Sequence, residues 1–336
     1  MSRFTLSASA RLWPVIVVLI AANFIVLSMS IMIGEYPVPL SQAWKTVFGI
    51  GEPEYEFVVN QLRFPRSLVA FLVGCGLALS GAILQGITRN PLAAPGVIGI
   101  NGGAALMAVT AIIALPSVPI ALLPFIAFSG ALGAAALTYF LAWRRGAAPM
   151  RLLLVGVGVG AASHAYITFW MTTRHVQNIK QAMIWLMGST YGRTWDHFWP
   201  LLPWLLVLFP AALLMSRTLD ILKLGDELSI GLGSSVERSR GLLLLISVSL
   251  AGASVAMAGT IGFIGLMGPH IARQLVGQTS RRLLSVSALV GGLIVMSADL
   301  LGRALLPPIE IPTGIITTAI GAPYLIYLLY RNRNRP

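Results

Sequence analysis

Long stretches without a single Asp, Glu, Lys or Arg constrain this chain more than any other feature of its sequence. Such stretches cover residues 13–33, 67–88, 92–143, 152–173, 197–216 and 241–272. Each reaches about the 20 residues that an α-helix needs to cross the hydrocarbon core of a bilayer. Only 10% of the 336 residues are charged, against about 25% in soluble domains. The chain is therefore predicted to be an all-α, polytopic membrane protein.

Two of these stretches are too long for one membrane helix. The first is divided by three prolines, which break helices when they lie in the interior: Pro116, Pro119 and Pro124. The second contains glycines and a proline that predict a full helix and then a short one, joined by irregular backbone that neighbouring helices must cover. About ten transmembrane helices are predicted, at residues 13–33, 67–88, 97–115, 120–143, 152–173, 197–216, 241–260, 263–275, 283–303 and 311–330.

The basic residues predict the orientation of these helices. The first span follows Arg3 and Arg11, and its apolar run exceeds the usual signal-peptide core, so we expect an uncleaved first helix. With the amino terminus inside, 16 of the 23 Lys and Arg residues fall in cytoplasmic connections. Cytoplasmic loops of membrane proteins carry this excess of positive charge, so both termini are predicted to lie in the cytoplasm.

A faint internal repeat separates two sets of residues by 178 positions. Gly81, Pro91 and Gly99 recur as Gly259, Pro269 and Gly277. With five helices between the copies, the two halves would have inverted topology, as transporters often do. Chance recurrence is the alternative, because the chain contains 34 glycines.

Several kinds of catalytic site are missing from the sequence. No G-x-x-x-x-G-K-[ST] phosphate loop occurs, so the chain is not expected to hydrolyse ATP. The four histidines show no metal-ligand spacing and Cys75 is the sole cysteine, so we expect no metal, no cofactor and no enzymatic activity. Asp299 is the only acidic residue well inside a predicted span. This scarcity disfavours a proton-coupled carrier.

An ordered set of short motifs runs through the whole chain. The set comprises Arg63-Phe64-Pro65-Arg66, the run Arg89-Asn90-Pro91-Leu92-Ala93-Ala94-Pro95-Gly96, Trp185-Leu186-Met187-Gly188-Ser189, the run 224–233, the run 262–273, Ala298-Asp299, Arg303 and Glu310-Ile311-Pro312-Thr313-Gly314. This set closely resembles the FecCD family, the permease subunits of ATP-binding-cassette (ABC) importers for ferric siderophores, haem and vitamin B12. One departure follows Gly277, where many relatives carry Asp-His-Arg and this chain has Gln278-Thr279-Ser280-Arg281.

The resemblance implies a type II ABC importer permease fold in which residues 1–336 form a single transmembrane domain. It further implies a second permease subunit, which is an identical copy or a paralogue, and two separate cytoplasmic ATPases. A substrate-binding protein would deliver the ligand from outside. The implied location is the bacterial cell (inner) membrane.

Three arginines at the predicted outer mouth match positions that pair with glutamates of the binding protein in relatives: Arg63, Arg66 and Arg303. Arginine offers a planar fork to a carboxylate and stays charged. The alternative interpretation is that these arginines anchor helix ends, and that Arg303 pairs with Asp299 four residues earlier on the same helix face.

Two inner segments also match functional segments of the family. Residues 217–240 match the segment that couples the permease to its ATPase through two short helices; the matching residues are Leu224, Gly225, Asp226, Glu227, Leu228, Gly231, Leu232 and Gly233. The alternative is an ordinary solvated connection. Asn90 and Leu92 match positions that narrow the cytoplasmic exit, and capping by Asn and packing by Leu are their alternative roles.

These observations lead to one functional expectation and its rivals. The chain is expected to pass an iron-siderophore complex into the cytoplasm by alternating access, driven by separate ATPase subunits. Haem or vitamin B12 import by the same family is the first alternative. An ion-coupled secondary carrier is the second, and an intramembrane enzyme is the third.

Overall fold

In a computed structural model of the protein, every regular element of the described residues, 12–115, 117–143, 148–173 and 176–332, is helical. The α-helices are, in chain order, α1 (Leu12–Met32), α2 (Leu40–Val47), α3 (Pro53–Glu56), α4 (Phe64–Thr88), α5 (Ile100–Ala114), α6 (Leu123–Ala142), α7 (Pro149–Thr173), α8 (Val176–Met187), α9 (Trp195–Leu214), α10 (Ser216–Lys223), α11 (Asp226–Gly231), α12 (Val236–Ala258), α13 (Ile264–Val276), α14 (Ser280–Ala304) and α15 (Thr313–Asn332). A π-helical segment, Phe57–Arg63, joins α3 to α4, and a 3-10 turn, Ile120–Leu122, precedes α6.

Seven helical segments of the described residues are long and apolar enough to cross a membrane. They are Leu12–Met32, Pro53–Thr88, Ile120–Ala142, Pro149–Thr173, Trp195–Leu214, Val236–Ala258 and Ser280–Ala304. Ile100–Ala114 and Thr313–Leu328 are apolar but shorter, and α13 has 13 residues. The prediction of an all-α, multi-pass membrane protein is confirmed, whereas the count of ten crossings stays a prediction.

The two long apolar stretches are divided where the sequence predicts. α5 ends at Ala114 and α6 begins at Leu123, within the proline cluster. α12 ends before Gly259, and α13 begins after Phe263. Both residues have positive φ, at +72° and +67°. Such a backbone cannot continue a right-handed helix, and the interruption is enclosed by neighbouring helices, with Ile261 2% exposed.

α4 is the central helix of the molecule. Its most apolar window is 89% buried, against 22% for α1 and 17% for α9, so α4 is surrounded by protein while α1 and α9 present most of their surface outward. α4 packs chiefly against α14 and α12. The contact with α14 is close because glycines face each other: a Cβ on Gly74 would overlap the carbonyl oxygen of Gly291. Small residues permit such close approach of membrane helices.

We expect Gly74→Ala to lower the thermal unfolding midpoint of the protein in detergent. Alanine is the better helix former by about 0.5–1 kcal/mol, but its Cβ would strike backbone of α14, which cannot swing away, and overpacking costs about 1–3 kcal/mol. Gly158→Ala on α7 is the matched control, since no described residue lies within 4 Å of a Cβ there. Equal midpoints for the two variants would contradict the tight packing.

The residues that suggest an internal repeat occupy different structural settings. Gly81 lies inside α4, whereas Gly259 follows the last residue of α12. Pro91 lies in the turn after α4, whereas Pro269 lies inside α13. These pairs give the inverted repeat no support, and it stays a prediction.

Some residues used in the predictions lie outside the described part of the chain. They are Pro116 of the proline cluster and, among the basic residues counted for orientation, Arg3, Arg11, Arg144, Arg145, Arg174, Arg333 and Arg335. The single-domain prediction for residues 1–336 also extends beyond the described residues.

Candidate functional site

A group of mostly buried charges lies where the predicted outer ends of α4 and α14 meet the segment before α15. Arg66, in the first turn of α4, donates to Asp299 Oδ1 from Nε (3.0 Å) and Nη2 (2.8 Å). Arg66 Nη1 also lies 2.8 Å from Glu310 Oε2. The Asp299 side chain is only 1% exposed, and its Oδ2 lies 3.5 Å from Arg303 Nε. These four residues form the outer charge cluster.

The segment after α8 covers one side of the outer charge cluster. The Thr190 hydroxyl donates to Asp299. The backbone N–H of Ser189 donates to the carbonyl of Ala258 at the end of α12, at 2.7 Å. The segment is therefore held between α12 and α14. Asp299 accepts its hydrogen bonds from Arg66 of α4 and from Thr190 of this segment, and Arg303 faces it from α14 itself.

Arg63 lies outside this cluster and stabilises the end of α1. It is the last residue of the π-helical segment and is 7% exposed. Its guanidinium donates to the backbone carbonyls of Ile31 (2.9 Å), Met32 (3.1 Å) and Tyr36 (2.7 Å). The last carbonyls of a helix lack partners within that helix, so Arg63 satisfies groups that would otherwise be unpaired.

A cavity of about 410 Å³ opens beside the outer charge cluster. Its charged lining residues are Glu35, Arg63, Arg66, Arg193, Arg303 and Glu310. The sequence did not single out Arg193, whose Nη1 lies 2.9 Å from His197 Nε2. Burial lowers the pKa of the Arg193 guanidinium to about 10, so this side chain is still a cation at neutral pH. The cavity is rimmed mainly by positive charge.

The structure brings the three predicted docking arginines to this one cavity, but it gives each of them partners inside the chain. Arg303 Nη2 donates to the carbonyl of Ser30 at 3.2 Å and its Nε faces Asp299. These contacts match the anchoring alternative, and docking of a binding protein at Arg63, Arg66 and Arg303 stays a prediction. Sequence reasoning missed Thr190 as a partner of Asp299, although an isolated carboxylate inside a predicted span does indicate a buried partner.

On the opposite side of the predicted membrane, the connection between α9 and α12 folds into the two short helices α10 and α11. This connection, residues 215–235, is called the inner connection below. Gly225 and Gly233 flank α11 with φ of +108° and +78°, which favours glycine at both positions. Ser229 Oγ donates to the carbonyl of Ile221 at 2.9 Å and holds α11 against α10. The two short helices implied by the family resemblance are present.

Large apolar side chains project from this connection. The four residues are 55% to 64% exposed: Leu224, Leu228, Ile230 and Leu232. They form the inner apolar surface, and the exposed Glu227 lies beside them in the sequence. At a cytoplasmic loop this surface would face water, where a contiguous apolar patch indicates a site for another protein.

Asp226, next to this surface in the sequence, pairs with two arginines of its own chain. Its carboxylate accepts two hydrogen bonds from Arg240 Nη2, at 2.8 and 2.9 Å, and Arg240 on α12 is 2% exposed. Asp226 Oδ1 also accepts from Arg89 Nη2 at 3.3 Å. One carboxylate therefore joins α11 to α12 and to the end of α4.

α10 is also connected to the start of α14. Asp220 accepts hydrogen bonds from the backbone N–H (3.0 Å) and hydroxyl (2.7 Å) of Ser280. Lys223 Nζ donates to the carbonyl of Gln278 at 3.0 Å. The N–H groups at a helix start need outside acceptors, and Asp220 supplies one from a different helix. The segment where this chain departs from the family pattern thus contacts the inner connection.

The predicted gate residues lie in the turn that follows α4. Asn90 Oδ1 accepts a hydrogen bond from the backbone N–H of Leu92 at 2.9 Å, which stabilises the turn. Leu92 is 44% exposed and lines a cavity of about 150 Å³ together with residues of α13 and α15. The Asn90 side chain therefore stabilises a turn, and both the gate and the helix-capping alternative stay predictions.

A polar contact inside the helix bundle ties α4 to α13 close to this turn. Gln85 Nε2 donates to the carbonyl of Gly265 at 3.1 Å, and Gln85 Oε1 accepts from Arg273 Nη2 at 2.5 Å. Both ends of the Gln85 amide are satisfied, as a buried polar group requires. The turn formed by residues 89–92, called the gate turn below, is thus next to a fixed contact between two helices.

Within the described residues, no three His, Cys, Asp or Glu side chains are grouped to hold a metal ion. The thiol of Cys75 is buried.

Known proteins match this chain over nearly its whole length. A sequence profile of the FecCD transport family matches residues 19–331. The chain is 45% identical to the Fe(3+)-citrate import system permease protein YfmE of Bacillus subtilis, with 94% of this chain and 95% of that protein covered. It is 40% identical to the iron(3+)-hydroxamate import system permease protein FhuG of the same organism, covering 91% and 94%. It is also 40% identical to the Fe(3+) dicitrate transport system permease protein FecD of Escherichia coli, again covering 91% and 94%.

A solved structure agrees with the sequence comparisons. It shows a metal-chelate type ABC transporter in an inward-facing conformation, and it matches this chain with a TM-score of 0.87 at 30% identity. The match covers 95% of this chain and 99% of the other. Because the family profile and full-length relatives agree with this fold, the chain belongs to the FecCD transport family of ABC transporter permeases, which are not themselves enzymes.

Proposed function

We propose that this protein is a permease subunit that carries a ferric siderophore into the bacterial cytoplasm by alternating access. Relatives that match nearly its full length are named for ferric citrate, ferric dicitrate and iron-hydroxamate import. These names support a ferric chelate in preference to haem or vitamin B12. The proposed location is the bacterial inner membrane, with both termini in the cytoplasm, and the second permease subunit is an identical copy or a paralogue.

The observation that carries this proposal is the inner apolar surface on α10 and α11. Leu228 and Leu232 are 61% and 62% exposed on a connection with no phosphate loop nearby. Burial of each leucine against a partner would contribute about 1.5–3 kcal/mol. We therefore propose that a separate ATPase binds here and supplies the energy that the chain cannot obtain alone.

An ion-coupled carrier is less well supported than an ATP-driven permease. A carrier of that kind needs a carboxylate that exchanges protons or cations inside the membrane. Asp299 is the candidate for such a role, but it is 1% exposed and already paired with Arg66 at 2.8 Å. The contact leaves this carboxylate no access to an ion pathway in the described arrangement.

For the outer face, we propose that Arg63, Arg66 and Arg303 orient a binding protein. Among the three, Arg66 is the best placed to change partners, because Glu310, which it contacts at 2.8 Å, is 31% exposed. A carboxylate of the binding protein would replace Glu310. Such exchange affects orientation and association rate more than final affinity.

We expect Glu310→Gln to strengthen docking of the binding protein by about two- to fivefold at low salt, the size of effect that an exposed ion pair supplies. The variant removes the negative charge that competes for Arg66 Nη1, while Asp299 keeps the rest of the guanidinium in place. Surface plasmon resonance on the permease in nanodiscs measures the dissociation constant. Glu56→Gln is the control for a general loss of negative charge, because Glu56 is an exposed outer acid that forms no ion pair among the described residues. Equal affinity for the two variants would argue against docking at Arg66.

Reconstitution tests the function as a whole. The permease, its co-purified ATPase and its binding protein are placed in liposomes, and uptake of radiolabelled ferric citrate and ferric hydroxamate is followed with and without internal ATP. We expect accumulation only with ATP and the binding protein present. Accumulation by the permease alone, without companion subunits, would overturn the proposal.

A further inference from the structure

We propose that Asp226 is a positioning residue that transmits movement of α11 to the gate turn through Arg89, and that it does not contact the ATPase. This inference rests on the proposed function, because it concerns how ATPase binding at the inner apolar surface reaches the cytoplasmic exit. The inference gives Asp226 a different role from its neighbour Glu227, although the family resemblance implies the same role for both residues.

Arg89 joins the end of α4 to the gate turn. It follows the last residue of α4 with φ of +53°, a left-handed conformation that few residues other than glycine adopt. Asn90 and Leu92 follow it directly. Because Arg89 forms the corner of this turn, any force on its guanidinium acts on the backbone next to Asn90.

The contact between Arg89 and α11 involves both backbone and side chain of the inner connection. Arg89 Nη2 donates to Asp226 Oδ1 at 3.3 Å. A Cβ on the preceding residue, Gly225, would lie 3.2 Å from Arg89 Nη1, so the guanidinium lies against the start of α11. The φ of Gly225, +108°, sets the direction in which Asp226 leaves the chain.

Arg240 holds the same carboxylate from the other side. It is 2% exposed and binds Asp226 with two hydrogen bonds of 2.8 and 2.9 Å, while its Nη1 donates to Glu237 at 2.9 Å. Both oxygens of the Asp226 carboxylate therefore accept hydrogen bonds from arginines of this chain. Glu227, by contrast, is exposed. Asp226 is therefore oriented by α12 toward Arg89.

A second contact between the inner connection and α4 shows which link can change. Leu219 of α10 is fully buried and packs against Gly86, where a Cβ would lie 2.6 Å from Leu219 Cδ1. That apolar contact is tight. The Arg89–Asp226 pair is 39% and 40% exposed, so water can replace either partner. The tight contact acts as a pivot, and the exposed ion pair transmits the position of α11 to the turn.

The test uses the complete complex of permeases, ATPase and binding protein in nanodiscs. A cysteine at Leu92 reports the gate through its rate of reaction with a maleimide, and the native thiol is buried at Cys75. The measured quantity is the change in labelling rate when ATP is added. Asp226→Asn, Arg89→Gln and the double variant are compared in this background. Arg89→Lys is the charge-conserving variant, and Glu237→Gln is the control, because it removes a contact of Arg240 other than the one with Asp226.

We expect each single variant to reduce the ATP-induced change about two- to fivefold, the range of an exposed ion pair. The double variant should lose no more than the singles, because both act through one link. Arg89→Lys should retain most of the change, Glu237→Gln should retain all of it, and ATPase co-purification should be unaffected.

Three results would overturn the inference. They are an unaltered ATP response in Asp226→Asn, additive losses in the double variant, and release of the ATPase by Asp226→Asn, which would place this carboxylate in the ATPase contact. If the chain with native Asp226 and Arg89 holds no ATPase, the proposed function fails and the inference fails with it. The complex with native Asp226 and Arg89 therefore distinguishes failure of the proposed function from failure of this inference alone.

Discussion

Replacing Asp299 with alanine is expected to destabilise the permease by about 3–5 kcal/mol, the loss typical of removing one partner from a buried ion pair. The substitution leaves Arg66 with Glu310 alone and takes the nearest carboxylate away from Arg303, whose side chain is 6% exposed. Thr190 also loses its acceptor. The measurement is the thermal unfolding midpoint in detergent, followed by size-exclusion chromatography. Glu56→Ala, which removes an exposed acid of the same outer region, should have little effect.

A double variant distinguishes ion-pair loss from simple loss of packing. In Arg66→Met with Asp299→Leu, apolar side chains replace both members of the pair, and apolar replacements of buried ion pairs are often neutral or stabilising. Arg303 loses Asp299 in both variants, so that loss does not affect the comparison, and Glu310, which loses Arg66, is partly exposed to solvent. The double variant should therefore be more stable than Asp299→Ala. If Asp299→Ala unfolds at the same temperature as Glu56→Ala, the outer charge cluster does not stabilise the fold.

Leu228→Asp combined with Leu232→Asp is expected to lower ATP-driven uptake at least tenfold while leaving the permease folded. Both side chains are more than 60% exposed in this chain, so charge there costs the isolated subunit little. In the complex, each leucine would lose about 1.5–3 kcal/mol of apolar burial, and every 1.4 kcal/mol is tenfold in affinity. Uptake in liposomes and the amount of co-purified ATPase are measured together.

The control for this surface keeps its apolar character. Leu228→Met with Leu232→Met conserves volume and hydrophobicity, which such sites usually tolerate, so it should hold the ATPase and support uptake. Unchanged uptake in the double aspartate variant would show that the inner apolar surface is not an ATPase contact. Loss of folded permease in that variant would show that these leucines pack within the chain after all.

Helix ends show where reading the sequence falls short. The charge-free stretches predict a span at 67–88, whereas the continuous helical segment is Pro53–Thr88. They predict a span at 241–260, whereas α12 begins at Val236. In both cases the helix includes an arginine that the prediction places outside: Arg66 pairs with Asp299, and Arg240 pairs with Asp226. A paired charge can enter a helix bundle, but only the folded chain shows that a partner is present.

For the candidate sites too, the sequence indicates the functional segments, and only the folded chain shows the contacts of their side chains. The order of the motifs indicates that residues 217–240 and the turn after α4 belong to functional segments, and the structure places both on one side of the bundle through Arg89 and Asp226. The resemblance treats Asp226 and Glu227 alike. Within the described residues, Asp226 is the member of the two that pairs with arginines, and this follows from the position of the buried Arg240 on α12, which a motif does not contain.

The membrane environment, the all-helical class and the breaks at the proline cluster and at Gly259–Phe263 follow from the sequence alone, because they depend on local composition and backbone preference. The order of the motifs was sufficient to recognise the family. Which charges are satisfied inside the chain depends on how the helices pack. Arg66 and Asp299 are 233 residues apart along the sequence and 2.8 Å apart in space. Contacts of that kind arise when helices pack, and the same packing leaves the leucines of α11 exposed for a partner.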